Sequence, residues 1–421
     1  MKFAFTDIRI IPVQLIFIIA LSLSCGKKNK EIDPAILFNE TERAIANNYV
    51  FLNDNKEGLF SEMYSGTLKK MEANPSETGR VGLVKFLNKY EDAEKRLKTY
   101  EALKLFLAAL PQGNNIFIPP ESLSWSRNPE REAGIGLVIR QEGPGKFMAI
   151  DTLEGSASNR ESMEMGKYII AVDDVNVSNM DLEELVGRIK GPMDSSVKLT
   201  YKDRSYKLVR SRVTFQNILN SKWNLKGGKS AEYIVLRSSL PGTADQLASL
   251  SGSLESRDAI VLDVRKLQPG DFSESFKIAD LFLGSGRMGS LKTKNEADIN
   301  FDADPEIVFK KAIFLLVGSY QSPFADAIAL ALKSSKKVTI IGENLNGKES
   351  FRTKPVKTTS GIELRITTGY ILSSDNVPLY KSGIRSDHVV KDILPPHPPL
   401  LEADRDDPAQ MKAAELILSS E

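Results

Sequence analysis

Two serines lie in the stretch VGSYQSPFADAI, which runs from Val317 to Ile328. The apolar run KAIFLL precedes it and the apolar-periodic IALAL follows, so the pattern predicts a buried strand, a tight turn and a helix. Enzymes that use a nucleophilic hydroxyl often carry it at such a turn. Ser322 and, less favourably, Ser319 are therefore candidate nucleophiles.

The same residues also fit a purely structural role. Serine at the N-cap followed by proline at the first helical position is a common helix start, and Ser322 and Pro323 stand in that order. In this interpretation the Ser322 hydroxyl accepts a hydrogen bond from the first helical turn and attacks nothing. Local sequence supports both interpretations.

A nucleophilic serine needs a base, and lysine is the candidate here. The chain has two histidines, His388 and His397, and both come late, which disfavours a Ser-His-Asp triad. A lysine accepts a proton near neutral pH when burial lowers its pKa. Lys348 lies in the polar loop GENLNGK. A lysine in such a loop is more often simply solvated.

The N-terminus carries a second chemical signal. Lys2 and Arg9 precede an apolar run, Ile10–Ser24, which is too short for a comfortable membrane span and is typical of a signal peptide. Cys25 follows directly and is the one cysteine of the chain, so an internal disulfide is excluded. Its place resembles a lipobox, which implies a diacylglyceryl anchor on Cys25. The alternative is an ordinary signal peptide with an incidental cysteine.

The composition of the chain is that of a globular protein and gives no sign of a nucleic-acid partner. The hydrophobic fraction of 41% and the charged fraction of 26% are ordinary for a globular protein. The 56 basic and 55 acidic residues nearly cancel, so nothing electrostatic favours nucleic acid. We expect no cofactor and no metal site.

The elements that must position these residues fall into successive segments. Apolar spacings of three and four predict helices up to Leu110, and a Pro- and Gly-containing loop follows. Short alternating strands come next, and then strands alternate with helices, which predicts an α/β layer with a substantially parallel sheet. The predicted segments are a signal peptide (1–24), a tether (25–33), a helical region (34–130), a β-rich domain (131–213), an α/β core (214–395) and a C-terminal helix packing on that core (396–421).

The β-rich segment resembles a PDZ domain of the bacterial protease type. It offers GIGLVI, then GSASNRESMEMGKYIIAVDD, then LEELVGRIKGPMDSSVKLTY, in the family order. Lys167, Glu161 and Ser162 depart from the residues usual there. The resemblance implies that a peptide adds as an edge strand and that its carboxylate meets backbone N–H groups. The implied carboxylate loop is Gly134, Ile135, Gly136 and Leu137. The alternative is a β-rich domain that binds nothing.

The α/β segment resembles the carboxyl-terminal-processing peptidases, or tail-specific proteases. AIVLDVRKLQPGDFSESFKIADLFL is similar to their LDLRNNPGG…IADLFL segment, and KVTIIGENLNGKESF to their VVGEPTFGKGSVQ segment. A GIxPD motif follows, with Gly383, Ile384 and Asp387. The resemblance implies a ClpP/crotonase-like α/β peptidase core and a Ser-Lys dyad, with Lys348 at the position of the base and Gly270 as an oxyanion donor.

The serine of that dyad does not carry over. When Asp326 is set against the Glu of the family motif GSASASEI, Pro323 takes the place of the middle serine, the nucleophile. Ser322 lies one residue early, which turns its side chain by about 100° on a helix. The residue after it, Pro323, has no N–H to complete an oxyanion hole. Asp271 and Arg352 also change the charge of the expected site.

Three hypotheses follow. The first is a lipid-anchored envelope protein that binds peptide C-termini through the PDZ-like domain and has a degenerate dyad. The second is an active serine endopeptidase that uses Ser322 and Lys348. The third is a structural surface lipoprotein. The sequence leaves the oligomeric state and the choice of membrane undetermined.

Overall fold

The computed structural model describes residues 32–52, 55–73, 77–126, 132–143, 145–318, 322–333, 335, 337–348, 350–391 and 407–420. The predicted signal peptide, Cys25, Ser319 and His397 lie outside the described residues. Among the described helices, none combines the length and the hydrophobicity needed to cross a membrane.

The N-terminal region is helical, as the apolar spacing predicts. Asp33 caps the first helix by accepting a hydrogen bond from the Ala35 N–H at 2.8 Å. The helices pack around an aromatic centre in which the Phe106 ring lies 4.6 Å from that of Tyr64 and 5.3 Å from that of Phe38. The helices are α1 (Pro34–Asn48), α2 (Lys56–Lys70), α3 (Gly79–Leu87) and α4 (Asp92–Ala108).

The segment after α4 is not the loop that its prolines and glycine predict. It contains strand β1 (Ile116–Ile118) and helix α5 (Pro120–Ser126). Phe117 and Ile118 are buried, and β1 pairs antiparallel with a strand at Glu363–Arg365. The prediction failed because the partner strand lies far downstream and leaves no local signal.

Residues 133–211, called the β module below, form a compact unit with its own apolar core. Strands β2, β3 and β4 form one small antiparallel sheet in that order, so β2 is an edge strand. A second sheet has the order β6-β5-β7-β8. The elements are β2 (Leu137–Gly143), β3 (Lys146–Thr152), α6 (Ala157–Arg160), β4 (Lys167–Ile169), β5 (Ala171–Val172), β6 (Val175–Asn176), α7 (Leu182–Ile189), β7 (Ser196–Thr200) and β8 (Ser205–Val209).

The α/β core confirms the predicted parallel sheet. Four parallel strands follow the order β15-β14-β11-β10, and β9 adds antiparallel at the edge. Their near-continuous apolar runs are buried on both faces, as central parallel strands require. The elements are β9 (Ile218–Asn224), β10 (Ser230–Leu236), α8 (Thr243–Ala248), α9 (Ser251–Leu254), β11 (Ala259–Asp263), α10 (Phe272–Asp280), β14 (Ala312–Val317), α11 (Pro323–Leu332) and β15 (Val338–Gly342).

A second, antiparallel sheet completes the core and was predicted only through its central strand, β17. That strand pairs with β16 along one side, and with β1 and β12 along the other. The additional elements are β12 (Arg287–Thr293), β13 (Ile299–Asp302), β16 (Phe351–Lys357), β17 (Glu363–Leu372) and the short helix α12 (Leu379–Ser382).

The C-terminal helix α13 (Pro408–Ser419) packs against the parallel sheet, where Ala413 and Ile417 are buried. Asp407 caps it and also reaches Arg265, whose guanidinium donates to Asp407 Oδ2 at 2.8 Å and to Asp263 Oδ2 at 2.7 Å. All three side chains are at most 1% exposed. A buried cation is thus balanced by two carboxylates.

Candidate active site and peptide-binding loop

The strand–turn–helix predicted around Ser322 is present. Strand β14 ends at Val317, and α11 begins at Pro323. Ser322 has extended backbone angles, and its hydroxyl oxygen accepts a hydrogen bond from the Ala325 N–H at 3.4 Å. Its side chain is buried. The interpretation of Ser322 as a helix N-cap with proline at the first helical position is confirmed.

Gly270 lies beside the first turn of α11. It forms a parallel bridge with Ser239, and its N–H makes no hydrogen bond to any residue that the structure describes. A Cβ at this position would lie 2.1 Å from Ser239 Oγ and 2.8 Å from Phe324 Cγ. Glycine is therefore required here by packing alone, whether or not its N–H serves as an oxyanion donor.

The Asp271 carboxylate does not act on this site as an unpaired charge. It caps α10, and Oδ1 accepts from the N–H groups of Ser273 at 2.8 Å and Glu274 at 3.2 Å. The positive end of a helix compensates a carboxylate placed there. These hydrogen bonds partly compensate the negative charge of Asp271, so the carboxylate would repel an oxyanion at this site less strongly.

Lys348 follows a tight turn and is exposed. Its backbone N–H donates to Asn346 Oδ1 at 2.8 Å. Its ammonium group makes no hydrogen bond or ion pair within the described part of the chain. General-base lysines are usually desolvated, and an exposed side chain lacks that environment.

The GIxPD motif holds the turn that carries Lys348. Leu345 and Ile384 exchange two backbone hydrogen bonds, of 2.9 and 2.8 Å. Asp387 accepts from the Ile340 N–H at 2.8 Å and pairs with Lys333 at 2.5 Å. Burial alone raises the pKa of Asp387, but these hydrogen bonds outweigh it and hold the pKa below its ordinary value.

A buried hydrogen bond joins this turn to helix α11. Ser350 Oγ donates to Asp326 Oδ2 at 2.9 Å, and both side chains are buried. Sequence reasoning identified Asp326 but missed Ser350. A serine between a polar loop and a strand gives no local sign that it faces a carboxylate.

Arg352, which was expected to change the charge of the site, forms an ion pair with Glu296. Its guanidinium donates to Glu296 Oε2 at 2.9 Å, and Lys354 contacts the other oxygen of the same carboxylate. Hydrogen bonds from Lys354 and Arg352 hold the pKa of Glu296 below its ordinary value. The charge of Arg352 is therefore matched locally and does not act on Lys348 as an isolated cation.

The candidate carboxylate loop lies at the start of β2. Gly134 is paired, because its N–H donates to the Ser211 carbonyl at 3.0 Å and its carbonyl accepts from the Ser211 N–H at 2.8 Å. The Ile135 carbonyl accepts from Ser158 Oγ at 2.7 Å, and the Gly136 carbonyl accepts from the Leu153 N–H at 2.7 Å. These contacts fix the loop through its carbonyl groups.

The N–H groups of Ile135 and Gly136 make no hydrogen bond to the described residues. Gly136 has φ +71°, and a Cβ there would lie 2.2 Å from that of Ser156. Leu137 then enters the edge strand β2. Two unpaired donors at the end of an open strand are an arrangement able to receive an anionic group.

Known proteins match both the core and the whole architecture. Residues 231–390 match the description "Peptidase family S41". The carboxyl-terminal-processing protease of Synechocystis is 23% identical over 311 residues, covering 71% of this chain and 72% of that protein. The carboxy-terminal processing protease CtpA of Bacillus subtilis is 26% identical over 284 residues, covering 65% of this chain and 59% of that protein.

A solved structure shares the fold. The photosystem II D1 C-terminal processing protease superposes with a TM-score of 0.61 at 20% identity, covering 86% of this chain and 94% of that one. The match to the Bacillus protein takes in less than two thirds of that protein's length. Residues 231–390 are therefore a peptidase family S41 domain, and the chain is a homologue of the carboxyl-terminal-processing proteases.

Proposed function

We propose that this chain is a cell-envelope protein that binds the C-termini of other polypeptides through a PDZ-like β module and does not cleave them. The observation that carries the proposal is the pair of unpaired N–H groups on Ile135 and Gly136 beside the edge strand β2. A terminal carboxylate at these donors and a strand added to β2 would use one binding mode.

The surroundings favour an apolar last residue. Leu137 and Ile139 on β2 and Leu182 at the start of α7 are partly buried and pack on the apolar core of the β module. An apolar side chain entering beside them would bury further surface, worth about 25 cal/mol per Å². Affinity would then come from backbone pairing, and selectivity from this patch.

The proposed absence of cleavage rests on the turn between β14 and α11, which carries Ser322 and Pro323. Pro323 carries no hydroxyl, and the Ser322 hydroxyl is occupied as the cap of α11. If Ser322 attacked, the next residue would be Pro323, which has no N–H to donate to the oxyanion. Losing one such donor typically costs about 2.7–4 kcal/mol of transition-state stabilisation.

An active serine endopeptidase using Ser322 and Lys348 is the competing function. One observation favours it, because the Gly270 N–H beside this turn is not used by the described residues. The exposed Lys348 opposes it. A structural surface lipoprotein that binds no tails is the third proposal.

Envelope location is part of the proposal and rests on sequence. The basic start, the apolar run Ile10–Ser24 and Cys25 would direct export and lipid attachment. Metabolic labelling of the full chain with a radioactive fatty acid tests it. Label retained in Cys25→Ser would contradict the anchor.

The binding test uses residues 26–421 and a fluorescent peptide with an apolar C-terminal residue. We expect the peptide with a free C-terminus to bind, and its amidated form to bind at least about tenfold more weakly, because the charge-assisted hydrogen bonds are lost. Gly136→Ala should abolish binding, since its Cβ would collide with Ser156.

Gly155→Ala is the matched control. Gly155 also has positive φ, +68°, but no atom lies within 4 Å of its added Cβ. It should bind like the parent protein. Equal affinity for free and amidated peptides would contradict the proposed tail recognition.

Cleavage is followed by mass spectrometry with an unfolded protein that has an apolar C-terminus. We expect no products from the parent protein, Ser322→Ala or Lys348→Ala. Products formed by the parent and lost in both variants would establish the endopeptidase. Absence of both cleavage and binding would leave the structural role.

A further inference from the structure

Two basic side chains of the core meet one carboxylate of the β module. Arg237 Nη2 donates to Asp151 Oδ2 at 2.5 Å and to the Thr152 carbonyl at 2.8 Å. Lys266 Nζ donates to Asp151 Oδ1 at 3.1 Å. The side chains of Arg237, Lys266 and Asp151 are 5%, 9% and 15% exposed.

Both cations are held beside the candidate active site. Arg237 follows β10 and precedes Ser239, which bridges to Gly270. The Arg237 N–H donates to the Asn217 carbonyl, and its carbonyl accepts from the Gln268 N–H, each at 2.8 Å. Lys266 lies on the loop from β11 to α10 that also carries Gly270. The core therefore fixes the backbone that carries Arg237, while the charged groups of both residues contact the β module.

Positive charge exceeds negative charge at this contact between the core and the β module, called the seam below. Two cations share one carboxylate, and neither forms another ion pair with a described residue. Buried Arg265 differs, because it contacts both Asp263 and Asp407. A largely buried cation without full compensation is costly, and an added anion would reduce that cost.

Arg237 also has donor groups that make no hydrogen bond to the described residues. Arg237 uses Nη2 for both of its contacts, and its Nε and Nη1 groups have no acceptor within the described chain. These two atoms are not among the fully buried polar atoms that lack a partner, so solvent reaches them. Each of them can donate a single hydrogen bond to a carboxylate oxygen, but they form no bidentate fork, because each fork of the guanidinium includes Nη2, which Asp151 and Thr152 occupy.

We propose that Arg237 and Lys266 form a carboxylate-binding site at this seam, which takes an acidic side chain of a bound polypeptide. Asp151 occupies part of the site and weakens it for an external carboxylate. The site uses other donors than Ile135 and Gly136 but lies near them, since Asp151 pairs with Val138 in the register of β2 and β3, so an acidic residue upstream of a captured tail would add to selectivity.

The test uses a short fluorescent peptide that contains Asp and Glu, with acetylated and amidated ends, and a neutral twin with Asn and Gln. Blocked ends remove the terminal carboxylate, so the result does not depend on the proposed tail binding. Binding to residues 26–421 is followed by anisotropy at low salt, where surface charge is least screened.

We expect the acidic peptide to bind more tightly than its twin. Asp151→Asn should strengthen binding by about tenfold, because it removes the competing carboxylate, and Lys266→Gln should weaken it by about tenfold. Asp174→Asn is the control, since Asp174 pairs with Lys198 elsewhere on the β module and is 75% exposed. It should bind like the parent.

Equal binding of the two peptides, or unchanged binding in Lys266→Gln, would overturn the proposal. So would a folded Asp151→Asn protein that gains nothing. Thermal melts establish folding, and if Asp151→Asn does not fold, the Lys266→Gln comparison decides alone.

Discussion

The Ser322 hydroxyl is committed to the start of α11, where it accepts from the Ala325 N–H. The order Ser-Pro before an apolar-periodic run predicts this cap without any structure, since capping is a local interaction. The surroundings of Lys348 could not be predicted in the same way. Its exposure depends on how the GIxPD motif folds back on its loop.

The cap makes a testable contribution to stability. Ser322→Ala should lower the free energy of unfolding by about 0.5–1 kcal/mol, the lower part of the range for lost caps, because the 3.4 Å hydrogen bond is long. Ser322→Thr keeps the oxygen acceptor and should lose less. Urea denaturation measures both, and equal losses in the two variants would argue against a capping role.

At the scale of elements, patterning predicted the strands buried inside the parallel sheet and missed most strands of the antiparallel sheet. Strand β14 is a continuous apolar run, buried at five of its six residues, and can therefore be predicted from the sequence. Strand β16 (FRTKPVK) is largely polar and contains Pro355, yet it pairs along most of β17. Its assignment depends on a partner strand that no local window contains.

The attachment of α13 depends on a polar contact that hydrophobic periodicity could not show. Asp407 Oδ1 accepts from the Ala409 and Gln410 N–H groups, while both carboxylate oxygens contact Arg265. Asp407→Ala removes a cap and one partner of a buried cation. We expect a loss of about 3–5 kcal/mol in the free energy of unfolding.

The control for this prediction is Lys412→Ala on the same helix. Lys412 forms a surface pair with Glu415, and exposed pairs contribute about 0–1 kcal/mol. Urea denaturation should separate the two variants clearly. Similar losses would mean that the Asp407–Arg265 contact adds little to the attachment of α13.

At the scale of the molecule, the Asp263–Arg265 pair links stability to pH. Burial raises the pKa of Asp263, but Arg265 beside it outweighs burial and holds the pKa below its ordinary value of 3.8. A folded-state pKa below the unfolded one gives stability that is present above the unfolded value. That stability is lost as pH falls through the folded pKa.

Acid unfolding should therefore depend on Arg265. In Arg265→Gln, Asp263 loses the interaction that most opposes burial and keeps the hydrogen bond from Tyr233, so its pKa should rise and the free energy of unfolding should begin to fall at a higher pH than in the parent. Trp223 fluorescence is a suitable probe, since its ring stacks on Tyr233, whose hydroxyl donates to Asp263 Oδ2 at 2.6 Å. An acid transition at the same pH in both proteins would contradict this linkage.

The pairing of β1 with β17 has a consequence for how the chain acquires its structure. The Asn114 N–H donates to Thr367 Oγ1 across 253 positions of sequence, and β1 has no other strand partner among the described residues. Contacts between such distant residues form late, because the intervening chain must first be brought together. A ribosome must therefore complete most of the polypeptide before the N-terminal helices can be joined to the core through β17.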